Sequence, residues 1–232
     1  MRKLRILFII PLVFILSCSP LKKYSELPEV RYWNGEIAKF EKLDSAETYP
    51  ADAILFTGSS SIRLWTDIKT DMAPWSVIQR GYGGARLSDF AVYADRIFSP
   101  HACRAAVLFI ANDITGSPQD KSPEEVRKLF LFILKTFRKS HPSTPFFYIE
   151  VTPTPLRWKA WPMITRGNNL VREECLKHRN TYFINTSKAF LDEKGEPRGE
   201  LFKPDQLHPN SEGYKIWSQL IKPELDKVLK TR

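Results

Sequence analysis

The sequence predicts one α/β domain, a three-layer α/β/α sandwich around a five-stranded parallel sheet of the flavodoxin-like type. Two observations predict this fold. Short, nearly continuous apolar runs alternate with segments of helical periodicity along most of the chain, which is typical of parallel strands covered on both faces. The length of 232 residues and the 43% of apolar residues suit one domain with a substantial core.

The first 34 residues are predicted to lie outside this domain. Residues 2–5 are mostly basic, residues 6–16 are apolar apart from one proline, and Cys18 follows almost directly. An apolar run this short cannot cross a bilayer about 30 Å thick as a helix, so it is typical of a signal peptide. We expect a signal peptide over residues 1–17, a solvated tether over 18–34 and the domain over 35–232.

Cys18 is the predicted lipidation site. Its position at the end of the apolar run resembles a bacterial lipobox, in which cleavage occurs before a cysteine that receives lipid. This resemblance implies a periplasm-facing membrane lipoprotein of the cell envelope. An ordinary secretory signal with an incidental cysteine is the alternative.

Five apolar runs are the predicted strands. They cover residues 53–57, 75–79, 105–110, 146–151 and 181–184. Glycines follow the first two runs and prolines follow the fourth, and both residue types mark the ends of regular elements. The composition of each run matches a strand buried on both faces.

Helical patterns separate these strands. An amphipathic helix is predicted over residues 87–98, and the next begins where Ser122 can cap it, with Pro123 in its first turn. Two more are predicted over residues 163–178 and from Ser211 onward, and we expect Pro223 to interrupt the last one. Strands that alternate with helices imply right-handed crossover connections.

The net charge of +9 does not by itself indicate a nucleic-acid partner. The basic residues are dispersed, and no basic stripe with interleaved aromatic residues accompanies them, so no nucleic-acid binding is expected. Cys175 lies on an apolar helical stripe and is expected to be buried. The sequence leaves open whether it pairs with Cys103.

Four polar segments follow the predicted elements at places where a ligand site of such a sheet would lie. Ser60 follows the first strand, Gly84 lies in a glycine-rich loop after the second, and Asn112 follows the third. Asp205 and His208 lie three residues apart near the end of the chain. Together they offer a hydroxyl, a base, a carboxylate and amide donors, which is the set that nucleophilic catalysis requires.

Each segment alone can be explained by an ordinary structural role. A serine after a strand is commonly a helix cap, and a glycine-rich loop is commonly a tight turn. The loop lacks the spacing of a dinucleotide or Walker fingerprint, which disfavours a nucleotide-binding flavodoxin-like protein. No second histidine or cysteine at ligand spacing supports a metal site. A non-catalytic binding lipoprotein that uses the same cleft stays open as the alternative.

The order of all four segments resembles the SGNH hydrolases, the GDSL-type esterase and lipase family. The resemblance covers about residues 50–225 and is carried by residue 205 and the segments 56–65, 80–84, 87–89, 93–97, 152–155, 157–158, 201–202, 207–210 and 213–214. It implies the SGNH hydrolase fold and a carboxylic ester hydrolase that acts through an acyl-enzyme. The implied substrates are short acyl esters, O-acetylated carbohydrates or lysophospholipids.

The same resemblance assigns roles to individual residues. Ser60 is the implied nucleophile, His208 its base, and Asp205 the carboxylate that orients the imidazole. The backbone N–H groups of Ser60 and Gly84 and the side-chain amide of Asn112 form the implied oxyanion hole. No metal and no cofactor is implied, and the expected contacts are a small ester or acetylated glycan and, through Cys18, a membrane.

The sequence departs from the family pattern at two positions. Ser59 stands where the family often has aspartate, and Ile110 stands where it has glycine two residues before the asparagine. A branched side chain there restricts the backbone, so Ile110 could turn Asn112 away from the site.

Three tryptophans could form a stacking wall for the substrate or be partly buried in the helical layer instead: Trp65, Trp158 and Trp161.

Overall fold

The sheet has five parallel strands in the order β2-β1-β3-β4-β5, as seen in a computed structural model that describes residues 21–230. This confirms the predicted fold class. The strand bounds differ from the predicted ones by at most two residues at either end, and they are β1 (Ile54–Gly58), β2 (Val77–Gly81), β3 (Ala105–Phe109), β4 (Phe146–Ile149) and β5 (Thr181–Ile184).

Helices connect the strands. The described part of the chain contains α1 (Lys22–Ser25), α2 (Pro28–Arg31), α3 (Asn34–Ala46), α4 (Ser60–Arg63), α5 (Ile68–Asp71), α6 (Leu87–Phe98), α7 (Pro123–Ser140), α8 (Trp161–Lys177), α9 (Ser187–Phe190) and α10 (Ser211–Leu229). Short 3₁₀ segments lie at Pro155–Ala160 and Gly199–Leu201. No helix within residues 21–230 is both long enough and apolar enough to cross a membrane.

Each face of the sheet carries its own apolar core, which produces the three layers. Successive residues of a strand point to opposite faces, so Leu55 packs in one core and Phe56 in the other. The first core includes Phe90 of α6 and Phe130 of α7, and the second includes Trp217 of α10. This two-sided burial explains why the strands contain so few polar residues.

The N-terminal segment is folded further than the sequence predicted. Residues 18–34 were expected to form a solvated tether, but α1, α2 and the start of α3 pack against α6. Tyr24 and Val30 are buried, and the hydroxyl of Tyr93 donates a hydrogen bond of 3.1 Å to the Val30 carbonyl. The helices α1 and α2 are each only four residues long, which is too short for a periodic pattern in the sequence to predict them. Cys18 and the predicted signal peptide lie outside the described residues.

Pro223 does not end the last helix, which contradicts the expected interruption. Helix α10 continues to Leu229 with Pro223 on its exposed side. On the opposite side Ile221, Leu225 and Leu229 are buried in the second core. Burial of these side chains on both sides of the proline holds the helix together, although the proline removes one backbone hydrogen bond.

A buried pair of carboxyl groups joins the loop after β3 to the start of α6. Asp113 accepts a hydrogen bond of 2.9 Å from the N–H of Leu87, and Asp89 accepts one of 2.9 Å from the N–H of Arg86. Asp89 also accepts a bond of 2.6 Å from the hydroxyl of Tyr82. Burial raises the pKa of Asp89 to about 7, even though these two hydrogen bonds act to lower it.

We expect Asp89→Asn to flatten the pH dependence of stability between about pH 4 and 7. In the unfolded chain Asp89 ionises near 3.8, whereas in the folded chain it stays protonated to about 7. Its contribution to stability is therefore fully present at low pH and is lost as the pH rises through this window, by roughly 2–4 kcal/mol. Asparagine can accept from Arg86 and donate to Tyr82, so the local contacts persist.

Urea unfolding of both proteins across this pH range measures the effect. Asp95→Asn, which changes an exposed carboxyl on the same helix, is the control and should leave the pH profile as in the wild type. Equal pH slopes for wild type and Asp89→Asn would show that Asp89 is not the group responsible.

Candidate active site

Ser60 lies in a sharp turn between β1 and α4. Gly58 ends the strand with φ +127°, and a Cβ at this position would lie 2.0 Å from the carbonyl oxygen of Phe109. Only glycine permits this approach. The N–H of Ser59 then donates 2.8 Å to the same carbonyl, so the chain leaves the sheet at once and Ser60 becomes the first residue of α4.

Ser60, His208 and Asp205 form a continuous hydrogen-bonded chain. The Oγ of Ser60 is 2.8 Å from Nε2 of His208, and Nδ1 of His208 is 2.7 Å from Oδ2 of Asp205. A proton on Nδ1 satisfies the carboxylate and leaves Nε2 as the acceptor for the serine hydroxyl. The structure therefore brings together the three residues that the sequence singled out as nucleophile, base and orienting carboxylate.

The loop before α10 fixes the histidine. Asp205 Oδ1 accepts hydrogen bonds from the N–H groups of Leu207 and His208, at 2.9 and 3.0 Å. Burial acts to raise the pKa of Asp205, but the hydrogen bonds from His208 and from these backbone groups dominate and lower the pKa to about 2. Asp205 is thus ionised at any pH near neutrality and can stabilise a positive charge on His208.

Gly84 and Asn112 lie at the same cleft as Ser60 and His208. The Asn112 amide group donates 2.8 Å to the carbonyl of Ala85, and its Oδ1 accepts 2.6 Å from Arg157. Because an amide nitrogen carries two hydrogens, one remains without this partner and is available to a ligand. Gly84 has φ +73°, which suits glycine in this loop.

Arg157 was not singled out as a site residue by sequence reasoning. Its guanidinium donates 2.6 Å to the carbonyl of Ala111 and 2.6 Å to Oδ1 of Asn112. Burial lowers the pKa of Arg157 to about 10, which leaves it charged at neutral pH. A partly buried guanidinium that donates to the amide oxygen fixes the orientation of Asn112 and increases the polarity of its N–H bonds.

Ile110 does not turn Asn112 away from the site. Its side chain is buried in the first core, and it does not line the cleft. The Asn112 side chain lines the cleft with Ser60. The branched residue is therefore accommodated by core packing while the amide still reaches the cleft.

The aromatic wall of the cleft, formed by Tyr32 and Trp33, comes from the predicted tether. Tyr32 and Trp33 line the cleft beside Gly84 and His208. None of the three tryptophans considered earlier belongs to it. Trp65 is fully buried and stacks on Tyr214 at 5.1 Å, while Trp158 and Trp161 stack on each other at 6.0 Å outside the lining of the cleft. A lone Tyr-Trp pair ahead of the domain carries no signal that could have revealed this position.

Two other features of the described residues concern metals and thiols. Within residues 21–230, no three His, Cys, Asp or Glu side chains come together as a metal site would require. Cys103 and Cys175 are both buried and free. Burial raises the pKa of each thiol to about 12, so both are poor nucleophiles at neutral pH.

Several solved structures share this architecture. A Streptococcus pneumonia protein provisionally named a platelet activating factor is 18% identical, with a TM-score of 0.74 over 84% of this chain and 94% of that chain. A GDSL-like lipase from Bacteroides thetaiotaomicron is 17% identical, with a TM-score of 0.65 over 83% of this chain and 98% of that one. A carbohydrate esterase family 3 structure from Talaromyces cellulolyticus is 15% identical, with a TM-score of 0.60 over 78% and 99%.

At these identities the structural likeness establishes the fold alone. No curated protein is significantly similar to the chain in sequence. The family model described as GDSL-like lipase/acylhydrolase matches residues 49–216, which is most of the chain and includes the serine turn, the asparagine loop and the Asp205–His208 segment. The chain therefore belongs to the GDSL-like lipase/acylhydrolase family.

Proposed function

We propose that this protein is a serine esterase that hydrolyses carboxylic esters through an acyl-enzyme on Ser60, without a metal or cofactor. The observation that carries the proposal is the hydrogen-bonded chain from Ser60 through His208 to Asp205. A serine hydroxyl needs an adjacent base to become a nucleophile at neutral pH, and the base needs a partner for the charge it acquires.

The reaction has two halves. In the first, Ser60 Oγ bonds to the ester carbonyl carbon while His208 Nε2 accepts the hydroxyl proton. The bond to the alcohol oxygen then breaks, and His208 returns the proton to that oxygen. In the second half water attacks the acyl carbon while His208 accepts one of its protons. The bond from the acyl carbon to Ser60 Oγ then breaks, His208 returns the proton to Oγ, and the carboxylic acid leaves. Asp205 stays ionised throughout and stabilises the imidazolium.

Three donors stabilise the oxyanion in this proposal. They are the N–H groups of Ser60 and Gly84 and the free amide hydrogen of Asn112. Among the described residues, no group of the protein accepts a hydrogen bond from the N–H of Ser60 or from that of Gly84, so both donors are available to a ligand. Donors that are fixed before the reaction stabilise the charge that develops in the transition state without having to reorganise.

The substrate class that we propose is that of short acyl esters, including O-acetylated carbohydrates. The carbohydrate esterase from Talaromyces cellulolyticus shares the fold, which makes a sugar ester a reasonable first substrate to assay. Lysophospholipids are the other class, and an ester panel that spans acetyl to decanoyl chains separates the two.

Ser60→Ala should remove nearly all esterase activity and leave the fold intact, because the nucleophile is lost and no core contact changes. A fluorophosphonate probe should label the wild type and fail to label this variant. Ser61→Ala, which changes the next serine, is the matched control and should still react. A Ser60→Ala protein of normal melting temperature that kept the wild-type kcat would refute the assignment, and a wild type that resists the probe would indicate a binding protein.

Asn112→Ala should lower kcat by roughly 10²–10³ with little change in KM, since the lost donor acts mainly on the transition state. Arg157→Gln should lower kcat in the same direction but less, because the amide of Asn112 remains and only its orientation weakens. Asn169→Ala, an exposed asparagine on α8, serves as the control. A loss below about tenfold for Asn112→Ala would exclude the oxyanion role on this scale.

We also propose that the protein is a lipoprotein of the bacterial cell envelope, held on the periplasmic side by lipid on Cys18. The supporting observation is the basic and apolar N-terminal sequence that ends at this cysteine. Mass spectrometry of the membrane fraction should find Cys18 as the modified first residue. Cys18→Ala should abolish the modification and Cys103→Ala should retain it. A product that begins elsewhere and is unaffected by Cys18→Ala would contradict the proposal.

A further inference from the structure

Two unequal spaces meet at Ser60 and His208. On one side is a narrow pocket of about 20 Å³, whose lining includes Thr152 and three side chains of the second core: Phe109, Phe202 and Trp217. On the other is a wide cleft of about 680 Å³, open to solvent and lined by α3 and the loop after β2. An ester carries an acyl group on one side of its carbonyl carbon and an alcohol group on the other. One of them must therefore lie in the narrow pocket and the other in the wide cleft.

The wide cleft is lined by aromatic and charged side chains together. Tyr32 and Trp33 lie beside Glu36 and Lys39, whose side chains form an ion pair of 2.5 Å and remain 37% and 70% exposed. A long acyl chain would gain little here, because it would have to lie against charged groups. A polar ring suits this lining, since its C–H faces can stack on the aromatic rings while its hydroxyls bond to the charged groups.

Trp33 packs against the loop that carries Gly84. Its indole ring lies 3.3 Å from the point that a Cβ at residue 84 would occupy, and its centroid is 5.1 Å from that of Tyr82. Tyr32 packs edge-on against Trp33 at 4.8 Å and is itself 74% exposed. A group leaving Ser60 on this side would therefore pass an aromatic pair that lines the cleft.

Helix α3, which follows Tyr32 and Trp33, is held against the domain by specific contacts. Arg96 of α6 donates to both carboxylate oxygens of Glu41, at 2.6 and 2.8 Å, and to Oδ1 of Asn34 at 2.8 Å. Ile37 of α3 is fully buried. Residues 32–39 also precede residue 49, where the family match begins, so these residues lie outside the matched segment.

We propose that Tyr32, Trp33, Glu36 and Lys39 form the binding site for the alcohol part of the ester, and that this alcohol is a sugar. The acyl group then occupies the narrow pocket, which accepts a group of about acetyl size. The alcohol leaves through the open side of the cleft, next to the histidine that protonates it. This inference rests on the proposed esterase function of Ser60.

The test compares acetylated methyl xyloside with ethyl acetate, which carries the same acyl group without a ring. Trp33→Ala should lower the ratio of kcat/KM for the xyloside to that for ethyl acetate by roughly tenfold, mainly through KM, because a stacking surface is lost. Trp161→Ala removes an indole that does not line the cleft and should leave this ratio unchanged. Tyr32→Ala changes a mostly exposed side chain, so it should fold normally and lower the ratio in the same direction.

The dependence of kcat/KM on the length of the acyl chain tests the assignment of the acyl group to the narrow pocket. Replacing acetyl by butanoyl on the same xyloside should lower kcat/KM of the wild type at least tenfold, because the narrow pocket has no room for the longer chain. A faster reaction with butanoyl or longer acyl groups would overturn the assignment of the two spaces and favour a lipid substrate. An unchanged substrate ratio in both Trp33→Ala and Tyr32→Ala would overturn the sugar site.

Binding separates this proposal from the esterase proposal. Ser60→Ala should bind the acetylated xyloside in calorimetry, and adding Trp33→Ala should weaken that binding roughly tenfold. Binding that depends on Trp33, combined with a wild type that hydrolyses no ester, would refute the esterase and leave the sugar site standing. Hydrolysis of ethyl acetate with no xyloside binding would refute the sugar site and leave the esterase standing.

Discussion

The contact of 2.8 Å between Ser60 and His208 is the constraint on which the site depends, because it joins residues 148 positions apart in the chain. The serine is placed by the turn after β1, and the histidine by the loop before α10. Both segments rest on one aromatic cluster, in which Tyr214 of α10 stacks on Trp65 and donates 2.8 Å to the Ser61 carbonyl. Burial of these rings in the second core thus fixes the distance that the proposed chemistry requires.

The oxyanion side of the site depends on a separate set of contacts. Asp113 connects the loop after β3 to the first N–H of α6, and Arg157 connects the same loop to the 3₁₀ segment after β4. Asn112 lies between these two attachments. The amide is therefore held from both sides of its loop, whereas the nucleophile and base are held from the other core. The oxyanion donors and the Ser60–His208 pair meet at the carboxyl ends of the strands, where ligands of parallel sheets bind.

Much of the fold could be predicted from the sequence, and the reasons are physical. Strands buried on both faces leave apolar runs that are visible without a structure, and helix α6 was predicted with its observed bounds. The relation of Trp33 to the cleft could not be predicted, since it depends on α3 packing across α6 through a few side chains far apart in sequence. Pro223 was misjudged for a similar reason, because tertiary burial outweighs a local helix-breaking preference. Likewise, no periodicity reveals that Arg157 reaches the amide of Asn112.

Acylation of Ser60 during turnover can be observed by mass spectrometry of the protein, acid-quenched at short times after mixing with p-nitrophenyl acetate and digested. We expect one added acetyl group on the peptide that contains Ser60, formed together with the first release of nitrophenolate and lost as the substrate is exhausted. Turnover with the acetyl group on another residue, or with no acetyl group on the Ser60 peptide at any time point, would show that Ser60 is not the nucleophile.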